Sequence, residues 1–270
     1  MIKIPVGKNK MNTSRSFLRF FCLLVGLWVC FFLSSCRNSP PPTIVVYCGA
    51  GLNKVATELA VEFEKKTHIS VQYNFGGSNI LLSQLQLLSS GDVFIPGEAY
   101  YLEIAKNKGL IKSSQVIAFH CPVIAVPVGN PKHITGLEDL GRSDVKIALG
   151  DPLAAAIGRT TQELLSKNGL TQAVKKQVVA YTATVNELMV YLTLGQVDAA
   201  IVWEDNVWTC AGKIATIPIP STQNLNKTIS AGILTFTKQE KQAAQFIAFL
   251  CSPQAEEILR RYGFKPNHHL

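Results

Sequence analysis

The stretch Asn74-Phe75-Gly76-Gly77-Ser78-Asn79 holds residue types that can grip a small anion. Two glycines let the backbone turn tightly with no Cβ in the way, and Ser78 or Asn79 can cap the helix expected after them. The free N–H groups of a helix start, together with the local dipole, favour negative charge in front of them. One such turn means little, because helices generally need caps. This chain repeats the device. Small or capping residues follow an apolar run at Cys48-Gly49-Ala50-Gly51, at Gly150-Asp151-Pro152 ahead of Ala154 to Arg159, and at Thr184-Val185-Asn186-Glu187. In the last of these, threonine with glutamate three residues on spells a capping box.

A cleft built from such turns would hold an anion by backbone N–H groups, hydroxyls and helix dipoles, without a formal cation. That chemistry suits a fully ionised oxyanion, which offers acceptors only. A protonated phosphate would also need an acceptor for its own proton; Asp151, Glu98 and Asp205 are candidates, but a carboxylate beside a dianion repels it. Asp151 is expected to be structural, bonding loop amides before Pro152. Catalysis finds little support. The histidines are His68, His120, His133, His268 and His269; none forms HExxH or another metal spacing. There is no G-x-S-x-G elbow or Walker motif, and Ser78 has no base near it in sequence. The expectation is a binding protein with no catalytic residue, cofactor or metal ligand.

The elements that must position these turns alternate. Strands are expected at Thr43–Tyr47, Ile69–Tyr73, Asp92–Ile95, Val116–Ala118, Val123–Val128, Lys146–Leu149, Val178–Tyr181, Asp198–Trp203 and Ile229–Phe236, as β-branched runs between turn residues. Helices fall between them. Leu52, Val55, Ala56, Leu59, Ala60 and Phe63 repeat at helical spacing, as do Leu81, Leu82, Leu85 and Leu88. Further helices are expected to about Lys167, after Thr184, over Lys238–Leu250 and over Gln254–Tyr262. Alternation of this kind predicts an α/β fold with mostly parallel sheets flanked by helices, in which ligands sit at the carboxyl ends of strands. Two of the turns precede Val128 and two follow it, so two domains would each supply two helix starts to one cleft.

The N-terminus is a different object. Lys3, Lys8, Lys10, Arg15 and Arg19 precede an uncharged apolar run from Phe20 to Leu33, and Leu33-Ser34-Ser35-Cys36 follows. Basic region, short apolar core and small residues before a cut site spell a secretory signal over residues 1–35, with Met11 as an alternative start. Leu-Ser-Ser-Cys also resembles the bacterial lipobox, which would make Cys36 the lipidated first residue; the alternatives are an ordinary signal peptide or an uncleaved anchor. Residues 36–42, with three prolines, read as a stiff tether. Without the leader's five cations the formal charge falls from +8 to +3, which is no nucleic-acid footprint. Cys48, Cys121, Cys210 and Cys251 remain in the mature chain; they lack zinc spacing and are open to one disulfide or to buried thiols.

Several of these motifs occur together in one family. Val46 to Leu52, Phe75-Gly76-Gly77-Ser78, Asp92 to Ile95, Ala148 to Pro152 with Gly158, Ala200 to Trp203 and Arg261 to Phe264 resemble, in order, the periplasmic molybdate/tungstate-binding proteins of bacterial ABC importers. The resemblance implies a two-domain, hinged, type II periplasmic fold: residues 43–127 plus 229–266 as a discontinuous first domain and 128–228 as the second. It implies an oxyanion between the domains, held at Ser78, at the amides of Ile157 and Val185, and at the positions of Gly51 and Trp203. The family often carries serine in place of Gly51, tyrosine in place of Trp203 and proline in place of Ala156. Asn53 or the Gly51 amide is the expected substitute for the lost hydroxyl, while Trp203 can donate through its indole N–H or serve only as core. The implied partners are an ABC permease with its ATPase and a membrane reached through the lipid anchor, with the protein a monomer. Another oxyanion, such as sulfate, a phosphonate or a small organic anion, and a sensor lipoprotein without transport stay open.

Overall fold

The β-branched runs of the sequence become the central strands of two sheets. The computed structural model describes residue 2, residues 41–208, residue 210 and residues 212–267; the expected signal peptide, the lipobox cysteine Cys36 and most of the tether lie outside the described residues. From Pro41 onward the described chain forms a single compact unit.

In chain order, β1 (Thr43–Gly49) leads through a 3-10 turn (Ala50–Leu52) into α1 (Asn53–Thr67). Then come β2 (Ser70–Gly76), α2 (Ser78–Leu88), β3 (Val93–Ile95), α3 (Ala99–Asn107) and β4 (Ile111–His120). The chain next builds β5 (Pro122–Pro127), β6 (Ile147–Gly150), α4 (Ala156–Lys167), α5 (Thr171–Lys175), β7 (Val178–Thr182), α6 (Val185–Thr193), β8 (Ala199–Trp203), α7 (Glu204–Trp208) and β9 (Ile214–Ile217). It returns with β10 (Lys227–Leu234), α8 (Glu240–Leu250), α9 (Pro253–Arg261) and β11 (Lys265–Pro266).

The first sheet has the order β11-β4-β10-β3-β1-β2 and the second β7-β6-β8-β5-β9. In the first, β1 is parallel to β2 (Val46 opposite Tyr73) and to β3 (Tyr47 opposite Phe94), while β10 runs antiparallel between β3 and β4. In the second, β6 is parallel to β7 and β8, and β5 is antiparallel to β8 and β9. Strands covered on both faces read as continuous apolar runs, and Ile147–Gly150 and Ala199–Trp203 are buried throughout. The expected α/β fold with helix-flanked sheets is present, but the sheets are mixed and not mostly parallel, with four parallel and five antiparallel pairings among the described strands.

Helix periodicity translates directly into packing. Val55, Ala56, Leu59, Ala60 and Phe63 form the buried stripe of α1, and Phe63 meets Phe246 of α8 edge-on at 5.1 Å. A second apolar cluster fills the other lobe and continues under α2 and α3, through Leu81, Leu85, Phe94 and Tyr101.

The resemblance implies a first domain reaching residue 127; β5 (residues 122–127) pairs within the second sheet, with Ile124 opposite both Ile201 and Ile217. The chain therefore crosses between lobes at Cys121. A strand buried on both faces looks alike in sequence whichever sheet it joins, so its pattern carried no marker of the crossing.

Candidate functional site

Where the carboxyl ends of the two sheets face each other lies a narrow cleft. All four turns singled out in the sequence reach it. Gly49 to Leu52 follow β1, Gly76 to Ser78 follow β2, Ala155 to Ile157 follow β6 and its loop, and Thr184 with Val185 follows β7. Gly97, His120 and Trp203 complete the wall. The first N–H groups of a helix have no acceptor within it, so the starts of α2, α4 and α6 concentrate donors here. No lysine, arginine or carboxylate lines the cleft among the described residues.

The local geometry explains each position. Gly77, not Ser78 or Asn79, is the N-cap of α2, and neither side chain caps it. The Ser78 hydroxyl, buried in the first helical position, accepts from the Gly97 N–H at 3.0 Å. A hydroxyl that accepts there still has its own hydrogen to donate. Asn79 turns to the other lobe, donating its side-chain amide to the Leu153 carbonyl (2.7 Å) and its backbone N–H to that of Ala154 (3.2 Å). The capping box of α6 is present: the Thr184 hydroxyl accepts from the Glu187 N–H, and the Glu187 carboxylate accepts from that hydroxyl and from the Ala183 N–H. Asp151 is structural, as expected: its carboxylate accepts from the Leu153 N–H at 2.8 Å.

Of the six expected ligand positions, Gly51, Ser78, Ile157, Val185 and Trp203 line the cleft. Asn53 does not. The 3-10 turn of residues 50–52 delays the helix, so Asn53 opens α1 with its backbone N–H on the Ala50 carbonyl. The serine that the resemblance implies at position 51 would have no room: a Cβ there would lie 2.7 Å from Cγ1 of Val185. Gly77 is equally constrained, since a Cβ would lie 2.6 Å from the Ala183 carbonyl oxygen and 2.7 Å from that of Ala154. The lobes are drawn together over the cleft by further bonds, from Asn186 to the Ala50 carbonyl and from Asn206 to the Gly51 carbonyl, both at 2.8 Å.

Two carboxylates held in reserve by the sequence reading take different parts. Glu98, 4% exposed, accepts from Nε and Nη2 of Arg159, from the Thr160 hydroxyl (3.0 Å) and pairs with Lys227 (3.3 Å). Arg159 also lies 4.0 Å over the Tyr100 ring. Asp205, 3% exposed, meets Nδ1 of His120 at 3.1 Å. His120 gave no motif in sequence. It is the last residue of β4, and its ring stacks on Trp203 with centroids 3.8 Å apart and planes within 13°.

His68 ends α1 in a left-handed conformation on the surface (φ 58°), which suits a solvated loop position. Among the described residues, none of Cys48, Cys121, Cys210 and Cys251 is joined in a disulfide. Burial raises the Cys121 thiol to about 11, with help from the neighbouring Glu204. No helix among the described residues is long and apolar enough to cross a membrane.

Two sheets in separate lobes, a crossing at Cys121 and a return into β10, and helix starts from both sides facing one cleft give the type II periplasmic binding protein fold. The chain belongs to the bacterial extracellular solute-binding protein family, whose pattern matches residues 44–265. This is a family of binding proteins, not enzymes. The chain is 29% identical to a putative binding protein of Haemophilus influenzae, over 83% of this chain and 91% of the relative. It is 25% identical to the molybdate-binding protein ModA of Mycobacterium tuberculosis, over 90% and 94%. Its fold is similar to the solved periplasmic molybdate-binding protein of Azotobacter vinelandii, with a TM-score of 0.71, 20% identity and coverage of 82% and 98%.

Proposed function

We propose that this protein is an extracytoplasmic solute-binding lipoprotein that captures a tetrahedral oxyanion, molybdate or tungstate, and delivers it to an ABC permease and its ATPase. One observation carries the reading: four strand-to-helix turns, two from each lobe, meet at a cleft that no lysine or arginine lines among the described residues. Donors without a formal cation suit a guest that offers only acceptors. The ModA relative, similar along nearly its whole length, supports the same choice. In this reading Ser78, Trp203 and the backbone at Gly51, Ile157 and Val185 contact the anion. Cys36 carries the lipid that holds the protein at the membrane, and the protein works as a monomer.

A second reading, a binding protein for sulfate, a phosphonate or a small organic anion, is favoured by two differences in the wall. Position 51 lacks a hydroxyl and has no space for one, and Trp203 in the wall offers an N–H donor but no acceptor. Titration calorimetry with molybdate, tungstate, sulfate and methylphosphonate separates the two. Binding of molybdate or tungstate at micromolar levels is expected, with Ser78→Ala weakening it by about 1–3 kcal/mol, the scale for a hydrogen bond to a charged group. Heat with sulfate alone would transfer the assignment to the second reading. An unchanged dissociation constant in Ser78→Ala would remove that hydroxyl from the contact set.

A further inference from the structure

Among the described residues of the cleft wall, His120 is the one side chain that can carry a positive charge. Its ring is pinned on two sides. Nδ1 faces the buried Asp205 carboxylate at 3.1 Å, and the flat face rests on Trp203. The side chains of both partners in this pair are 1% exposed. Nε2 is buried and has no hydrogen-bond partner. A buried polar atom without a partner is costly, and the wall of the anion cleft is where this one sits.

The chemistry fixes what Nε2 can offer. A carboxylate only accepts, so Nδ1 carries its hydrogen toward Asp205. Nε2 is then a lone pair in the neutral ring and a donor in the imidazolium. A fully ionised oxyanion presents lone pairs, which a second lone pair repels and an N–H attracts. The imidazolium also gains from the carboxylate behind it and from the indole face beneath it.

We propose that His120 is a ligand contact of this cleft, donating from Nε2 to the bound oxyanion as an imidazolium, with Asp205 as its positioning residue. Binding of a fully ionised guest then takes one proton from solvent into the site. This rests on the oxyanion reading above and adds to it the single formal positive charge of the cleft.

The neighbouring ionisable groups are committed elsewhere. Glu204, next to Asp205, accepts from the Cys121 thiol and pairs with Lys265 of β11 at 3.8 Å. Lys227 of β10 lies opposite His120 in register, but its ammonium pairs with Glu98 and Glu163. Phe264 supplies a ring 6.3 Å from the imidazole on the remaining flank.

The test is calorimetry of the mature protein with sodium molybdate in buffers of different ionisation enthalpy, which counts protons exchanged on binding. Proton uptake is expected on binding, approaching one per molybdate wherever the free ring is neutral, and affinity should then rise as pH falls. In His120→Gln the uptake should vanish and the affinity at about pH 6 should fall roughly tenfold to a hundredfold. If that variant fails to fold, the proton count of the unmodified protein still decides. Molybdate binding with no proton uptake, or with His120→Gln indistinguishable from the parent, overturns the role of His120 and leaves the molybdate reading intact. Binding of sulfate instead of molybdate, with the same His120-dependent uptake, supports the contact and overturns the choice of molybdate. Sulfate binding without uptake, or no heat with any anion, overturns the contact.

Discussion

Two buried carboxylates bridge the lobes of this protein, and their surroundings could hardly differ more. Glu98 is saturated: a guanidinium, an ammonium and a hydroxyl from the second lobe and the returning strand occupy it. Asp205 faces an imidazole whose far nitrogen still lacks a partner. A saturated charge has nothing left to offer a guest, so the Glu98 cluster works as a latch between lobes. The Asp205 pair passes an unsatisfied atom on to the cleft. Burial and charge are shared by both; what separates latch from site is whether any hydrogen-bonding capacity remains.

The largest effect should come from breaking the latch. Arg159→Met removes the bidentate partner of Glu98 while Lys227 stays, and should destabilise the fold by about 3 kcal/mol, the lower end for breaking a buried pair. Chemical denaturation measures it. The same variant should keep the proton uptake assigned to His120; its loss would erase the distinction between the two carboxylates. Somewhat smaller is Gly77→Ala. The added methyl meets two backbone carbonyls of the opposite lobe, and overpacking of this kind costs about 1–3 kcal/mol, here drawn from lobe closure. Molybdate affinity should drop by that amount while the unliganded protein melts normally. A large fall in that melting temperature would place the clash within a lobe and not across the cleft.

The smallest effect belongs to the rim of the latch. Lys227, and after it Arg159, hold the Glu163 carboxyl below its usual range. A carboxyl depressed by folding adds stability above its unfolded value, near 4.3, and loses it as pH falls through the folded value. Glu163→Gln should therefore lower the melting temperature slightly at pH 7 and converge with the parent as pH falls below about 4, flattening part of the acid slope; the effect is small because the group is half-exposed and screened. An unchanged acid slope would show that these pairs add nothing in solution.

Local signals made much of this legible. Periodicity found α1, α2, α6, α8 and α9 and the β-branched runs found the central strands, because each pattern is set by neighbours in sequence. The four turns could be read for the same reason: glycine, threonine and glutamate at fixed offsets carry their own geometry. Short elements such as β9 and α7 escaped, as four or five residues give too little period. His120 escaped for a different reason. Its partner Asp205 is 85 residues away, and the crossing at Cys121 that joins them left no mark in the pattern. Ser78 was placed in the site yet given the wrong local task, because the acceptor role toward Gly97 depends on a loop 19 residues downstream.

The contact between Gly51 and Val185 has a consequence for how such a binding wall can change over generations. A hydroxyl at position 51 and a branched side chain at position 185 compete for one space, and valine cannot swing aside because its first torsion is stiff. Position 51 cannot gain a side chain while residue 185 keeps its branch. Descendants would have to trim residue 185 before or together with enlarging residue 51, so the two should be inherited as a pair.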